Sequence, residues 1–236
     1  MAGTQPDTVF RKLIEALFDE QKAAWSPERT GGGLLERSHK AKAAMYAFSK
    51  RWLELNEAKM LPTGSPNIVD FGSSKYLMPL PPLEKDGHLI PWLSISYKLR
   101  KGAAFEDACC RIYVLMLGLD ETSRLVGTGF RIESPERNCQ EVARPNGIGL
   151  HDIYHAQLIK RIETYGPEFI TPEWLPCSQP SFPLWAMNPI DALLNLFLTL
   201  YGARRYSDFL RKHAGRVGTI PMSDEFKQLN KRLTRD

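Results

Sequence analysis

Proline fences this chain. Pro62, Pro66, Pro79, Pro81 and Pro82 crowd one stretch, and Pro167, Pro172, Pro176, Pro180, Pro183 and Pro189 crowd another. Each proline removes a backbone donor and clashes with the preceding helical turn, so neither stretch can carry a long helix. Regular structure must come from the segments before, between and after them.

Before the first fence the pattern is helical. In "DTVFRKLIEALFDEQKAAW", Phe10, Leu13, Ile14, Leu17 and Phe18 recur at helical spacing behind Asp7, a plausible cap. Pro27 and the triplet Gly31 to Gly33 then interrupt, and Ala41, Met45, Phe48, Trp52 and Leu55 resume the same spacing. This predicts a helical hairpin over residues 1–60. The glycines follow a helix and lack the Lys-Ser/Thr of a phosphate loop, so they read as a hinge.

Between the fences the period changes to two. "WLSISYKL" alternates Leu93, Ile95, Tyr97 and Leu99 against Ser94, Ser96 and Lys98, the signature of a half-buried strand. "CCRIYVLMLGL" is apolar on both sides and reads as a central strand. "LVGTGFRIE" and "GIGLHDIYHAQLIKRI" follow after short connections, and short connections favour an antiparallel meander of four strands. Within the second fence Trp174, Phe182 and Trp185 stand among prolines, so an ordered loop burying these rings on the core is expected.

After it, Asn188 is placed to cap a helix with Pro189 at its first position, and Gly202 stands where that helix should stop. Two amphipathic helices, near Ala203 to Ala214 and Ser223 to Thr234, complete three C-terminal helices. The expected fold is α+β, with residues 61–236 forming the core domain beside the hairpin.

Composition excludes several classes. The longest apolar stretch, Ile190 to Tyr201, has 12 residues and includes Asp191, Asn195 and Thr199, whereas a bilayer span needs about 20. The first residues lack an uninterrupted apolar run of the signal-peptide kind. No Walker loop, dinucleotide fingerprint, metal-ligand cluster or triad signature stands out, so no cofactor and no metal are expected. The four cysteines, Cys109, Cys110, Cys139 and Cys177, form no CxxC pair. Adjacent strand residues point to opposite faces, which separates Cys109 from Cys110 and favours reduced thiols in a cytoplasmic protein. The net charge of +4 is concentrated at the end, where residues 201–236 carry nine basic against four acidic side chains. Arg204, Arg205, Arg211 and Lys212 can face phosphates or an acidic protein surface; a solvated helix face is the simpler reading.

Candidate chemistry gathers around "LHDIYHAQL". In a helix, His151 and His155 would lie about 5–6 Å apart and bind zinc together. In a strand they lie roughly 13 Å apart, too far to share one ion. Gly147, Gly149 and the preceding strands favour the strand, which sets His155 and Gln157 on a mixed face bordering a groove. In "LVGTGFRIE", Gly127 and Gly129 share a face with Arg131 and Glu133, leaving a bare patch, best filled by a tryptophan of the proline-rich loop. Cys177, in "PCSQPS", is a nucleophile candidate only with a base such as His155 nearby; a buried small hydrophobe is the simpler role.

In element order the chain is similar to the ubiquitin-conjugating enzymes, which place a His-Pro-Asn triplet before their catalytic cysteine. Here the nearest equivalent is His155-Ala156-Gln157 with Cys177 farther on, and the N-terminal hairpin is extra, so the likeness is one of element order alone. The leading functional expectation is a non-catalytic accessory module that binds a protein partner, with no membrane contact. Arg131, Glu133, His151, His155, Gln157 and the four basic helix residues are the candidate binding groups. The alternatives are a small enzyme built on His155 and Cys177, or nucleic-acid binding through the basic tail.

Overall fold

A computed structural model describes residues 5–24, 68–72, 78–80, 83, 90–100, 102–119, 125–135, 153–158 and 181–233. The second half of the expected hairpin, the boundary near residue 60 and most of the second proline-rich stretch lie outside these residues. Helix α1 spans Pro6–Ala24 and buries Val9, Phe10, Leu13, Ile14, Ala16 and Leu17. Asp7 falls within its first turn, where a carboxylate favours the helix N-terminus.

Among the described residues the sheet holds seven strands: β1 (Ile68–Gly72), β2 (Met78–Pro79), β3 (Ile90–Arg100), β4 (Cys109–Leu119), β5 (Leu125–Glu133), β6 (His155–Leu158) and β7 (Ser181–Pro183). Their order is β1-β3-β4-β5-β6-β7, with β2 also paired to β3, and every pairing is antiparallel. The expected meander is its centre. The expected count of four is corrected by β1, β2 and β7, short pieces beside proline or glycine whose ladder bonds to longer strands supply the order their own sequences lack.

One face of the sheet carries Leu93, Ile95, Tyr97, Cys110, Ile112, Val114 and Ile132, all buried in the core that α1 and the C-terminal helices complete. The Phe10 ring of α1 stands 5.3 Å from that of Tyr97 and 6.5 Å from that of Phe105. On the opposite face Trp92 pairs with Leu115, and both are buried, which agrees with an apolar pattern on both sides of β4.

Helix α2 spans Pro189–Val217, and the Asn188 side chain accepts the Asp191 N–H at 2.9 Å. At Gly202 the backbone turns to φ 74°, ψ 170°, a region almost reserved for glycine, and the helix breaks there as its sequence implies. The bend folds the second arm back, setting the Phe197 and Phe209 rings 4.7 Å apart. A Cβ at Gly202 would meet nothing within 4 Å, so Gly202→Ala isolates backbone strain. It should cost about 1–3 kcal/mol in urea unfolding. An unchanged midpoint would show that the bend is not enforced.

Helix α3 spans Asp224–Leu233, capped by the Ser223 hydroxyl, which accepts the Phe226 N–H at 3.1 Å. Asp191 joins the two helix starts from a fully buried position. Its carboxylate accepts the backbone N–H of Met187 and of Ser223, each at 3.1 Å, and also the Ser223 hydroxyl.

The second arm of α2 is tied to α1 by charge. Glu20 contacts Lys212 at 2.6 Å and His213 at 2.7 Å, and Glu15 contacts Arg216 at 3.3 Å. Burial pushes the Glu20 carboxyl up, but Lys212 and His213 outweigh it and hold it below its ordinary value.

Among the described residues β7 ends the sheet, and its outer side has a particular chemistry. The Leu184 N–H bonds to the Tyr154 carbonyl, which fixes the alternation along the β6–β7 pair. Pro183, opposite His155, therefore occupies a place whose backbone groups turn outward. Its ring nitrogen has no hydrogen to donate, so the edge is interrupted.

Candidate functional site

The strand register assembles a polar network from residues far apart in sequence. On the face turned away from α1, Arg111, Glu133 and His155 form one cross-strand row, and Tyr113, Arg131 and Gln157 the next. Arg111 Nε lies 3.3 Å from Glu133 Oε1 and Arg131 Nε 3.2 Å from Glu133 Oε2. Arg131 also donates through Nε and Nη2 to Gln157 Oε1, at 3.1 and 2.6 Å.

His155 completes this network. Its Nδ1 lies 3.0 Å from the Ile153 carbonyl, which can only accept, so Nδ1 is the donor. Its Nε2 is 3.8 Å from Glu133 Oε2. The ring is 1% exposed and Gln157 is also buried, which corrects the expectation that the two border an open groove. The cross-strand bonds from Arg131 compensate for taking the Gln157 carbonyl out of water.

Gly129 is not a bare patch. A Cβ there would run into the Val114 carbonyl oxygen and the Leu115 side chain, so β4 itself fills the space expected for a tryptophan. Of the loop aromatics expected inside, Phe182 and Trp185 are exposed and Trp174 lies outside the described residues.

Those exposed rings belong to the second feature of this region. Ile153, Phe182, Trp185 and Met187 are 43%, 53%, 64% and 55% exposed, the large apolar side chains most open to solvent among the described residues. Their backbone is pinned at successive points. Leu184 N–H bonds to the Tyr154 carbonyl, Ala186 N–H to the Leu184 carbonyl, Asn195 Nδ2 to the Trp185 carbonyl at 3.3 Å, and Met187 N–H to Asp191. In the β6–β7 register Phe182 lies opposite Ala156, on the side of the sheet that carries the core, and Pro183 opposite His155 on the other side. The polar network thus buttresses the apolar platform, because His155 holds the carbonyl of Ile153.

Arg131, Glu133, His155 and Gln157 are therefore brought together, with Arg111 as an unanticipated member. His151 and Cys177 lie outside the described residues. Arg204, Arg205, Arg211 and Lys212 sit on the second arm of α2. Lys212 contacts Glu20, Arg211 lies 3.4 Å from Asp208, and the Arg205 guanidinium stands over the Tyr201 ring. The platform was missed because its prolines suggested a packed loop. One signal was present: residues 174–190 contain no charged side chain.

Among the described residues no group of three or more His, Cys, Asp or Glu side chains could hold a metal ion, and no helix is long and apolar enough to cross a membrane. Cys109 and Cys110 do lie on opposite faces. Cys110 is a buried free thiol whose pKa burial pushes up, whereas Cys109 is disulfide-bonded. The expectation of four reduced thiols is corrected, and with it the use of cysteine as an argument for a reducing compartment. Alkylation of the native protein followed by peptide mapping should leave Cys110 unlabelled until denaturation and recover Cys109 only after reduction. Labelling of Cys109 without reductant would contradict the bond.

Comparison with protein-family models, with curated proteins and with solved structures found no match, so the likeness in element order to ubiquitin-conjugating enzymes gains no further support.

Proposed function

We propose that the chain is a non-catalytic binding module whose partner-facing surface is centred on Ile153, Phe182, Trp185 and Met187. The observation that carries this reading is the exposure of four large apolar side chains on a backbone pinned by hydrogen bonds. Large apolar side chains held in water on an ordered backbone point to an interaction site, and tryptophan and methionine are enriched at interfaces. A pinned backbone also lowers the ordering cost that association would otherwise meet. The polar network beneath acts as support: His155 is shielded from solvent, and both Glu133 oxygens are engaged by guanidinium groups.

A photo-crosslinking amino acid at position 185, in cells that make the protein, tests the reading. It should yield a discrete protein adduct, while the same probe at Asp208, exposed on α2, should not. No adduct from position 185, or equal adducts from both positions, would overturn it.

A further inference from the structure

We infer that the core encloses a hydrated polar site between the sheet and α2, where bound water joins the Tyr154 and Tyr206 hydroxyls to the Asp191 carboxylate. Tyr154, one place before β6, shares the parity of Ala156 and so belongs to the core face of the sheet. It is 2% exposed, and Tyr206, on the second arm of α2, is 0% exposed. Neither hydroxyl oxygen has a hydrogen-bond partner among the described residues. A tyrosine ring is readily buried, but its O–H normally takes a partner with it, because a hydroxyl left without one forfeits its hydration and gains nothing in return.

The chain brings the three groups into one neighbourhood. The Tyr154 carbonyl accepts the Leu184 N–H, and Met187, just beyond, donates its N–H to Asp191. The bend at Gly202 returns the second arm of α2 to the first, which carries Asp191, and sets the Tyr206 ring 6.4 Å from that of Phe197. Burial raises both phenols above their ordinary pKa, and the Asp191 charge adds to the rise in each, so the carboxylate stands within electrostatic reach of the two hydroxyls. A carboxylate offers about four acceptor sites. The Met187 and Ser223 N–H groups and the Ser223 hydroxyl leave part of that capacity open. Water suits such a set. A buried water makes about two to four hydrogen bonds, typically to polar groups the protein itself leaves unsatisfied, and it can donate to the carboxylate while exchanging bonds with phenols that both donate and accept. An anion would be repelled by the carboxylate, and the phenols, held neutral by burial, give a cation no second charge.

Two measurements on the full chain test this. A crystal structure fine enough to show ordered water should place water density within hydrogen-bonding distance of both phenolic oxygens, connected to Asp191. Phenols that are dry, or that pair with protein atoms alone, overturn the inference. In solution, magnetic relaxation dispersion of the water oxygen should report long-lived internal water, and its amplitude should fall by the equivalent of about one molecule or more in the double variant Tyr154→Phe/Tyr206→Phe, with circular dichroism confirming the fold. An amplitude unchanged in the folded double variant overturns it as well. The crystal structure needs only the wild type, so the test stands even if the double variant does not fold.

Discussion

Replacing Asp191 with alanine should lower the unfolding free energy by about 3–5 kcal/mol. The carboxylate is the acceptor for the backbone N–H of Met187 and of Ser223, and for the Ser223 hydroxyl, at a fully buried point where the platform, the start of α2 and the start of α3 converge. Alanine strands both N–H groups. Relief from holding a charge out of water offsets part of that cost. Asparagine keeps one carbonyl acceptor and should lose roughly half as much. A urea midpoint shift worth less than about 1 kcal/mol for Asp191→Ala would show that the junction is held by apolar packing instead.

The same residue gives the fold a pH dependence with a definite sign. Burial raises the Asp191 carboxyl above its ordinary value, against the lowering effect of its donors. The folded state therefore holds the proton more tightly than the unfolded chain. The associated stability is fully present below the unfolded carboxyl pKa and is lost as pH rises through the folded one. Asp191→Asn cannot titrate, so the advantage of the wild type over it should shrink as pH rises across that window. A constant difference would mean that position 191 does not change protonation on folding.

Gly129→Ala should destabilise by about 3 kcal/mol, although it adds a single methyl group. Leu115 is the register partner of Gly129, and the added carbon would meet the Val114 carbonyl oxygen, a backbone atom, and the Leu115 side chain. A flexible side chain could swing aside; a carbonyl within the central β4–β5 ladder cannot move without lengthening hydrogen bonds. The expected signature is a lower midpoint together with faster amide exchange in β4 and β5. Wild-type stability in Gly129→Ala would mean that the strands separate freely there.

What the sequence disclosed follows from the range of each signal. Period-two alternation in β3 and the two-sided apolar run of β4 are local, and both strands lie where they were expected. Asn188, Pro189 and Gly202 act through their own backbone chemistry, so the start and the bend of α2 were equally legible. β1, β2 and β7 were not, because a strand of two to five residues is ordered by the neighbour it pairs with. Arg131, Glu133, His155 and Gln157 were picked out singly; that they touch, and that Arg111 joins them, depends on a register spanning β4, β5 and β6. Phe182 and Trp185 misled for a different reason. Large aromatic side chains are usually inside, and the exceptions are settled by tertiary placement, which no local pattern encodes.

Pro183 has a bearing on how this protein behaves in concentrated solution. A sheet whose last strand offers a complete row of outward donors and acceptors is a template, and each molecule that adds to it presents a fresh template to the next. Growth of that kind has no natural end and leads to fibrils. Proline at the outward position withholds one hydrogen from the row. A strand added at that position would lack one hydrogen bond, which raises the cost of starting such a stack.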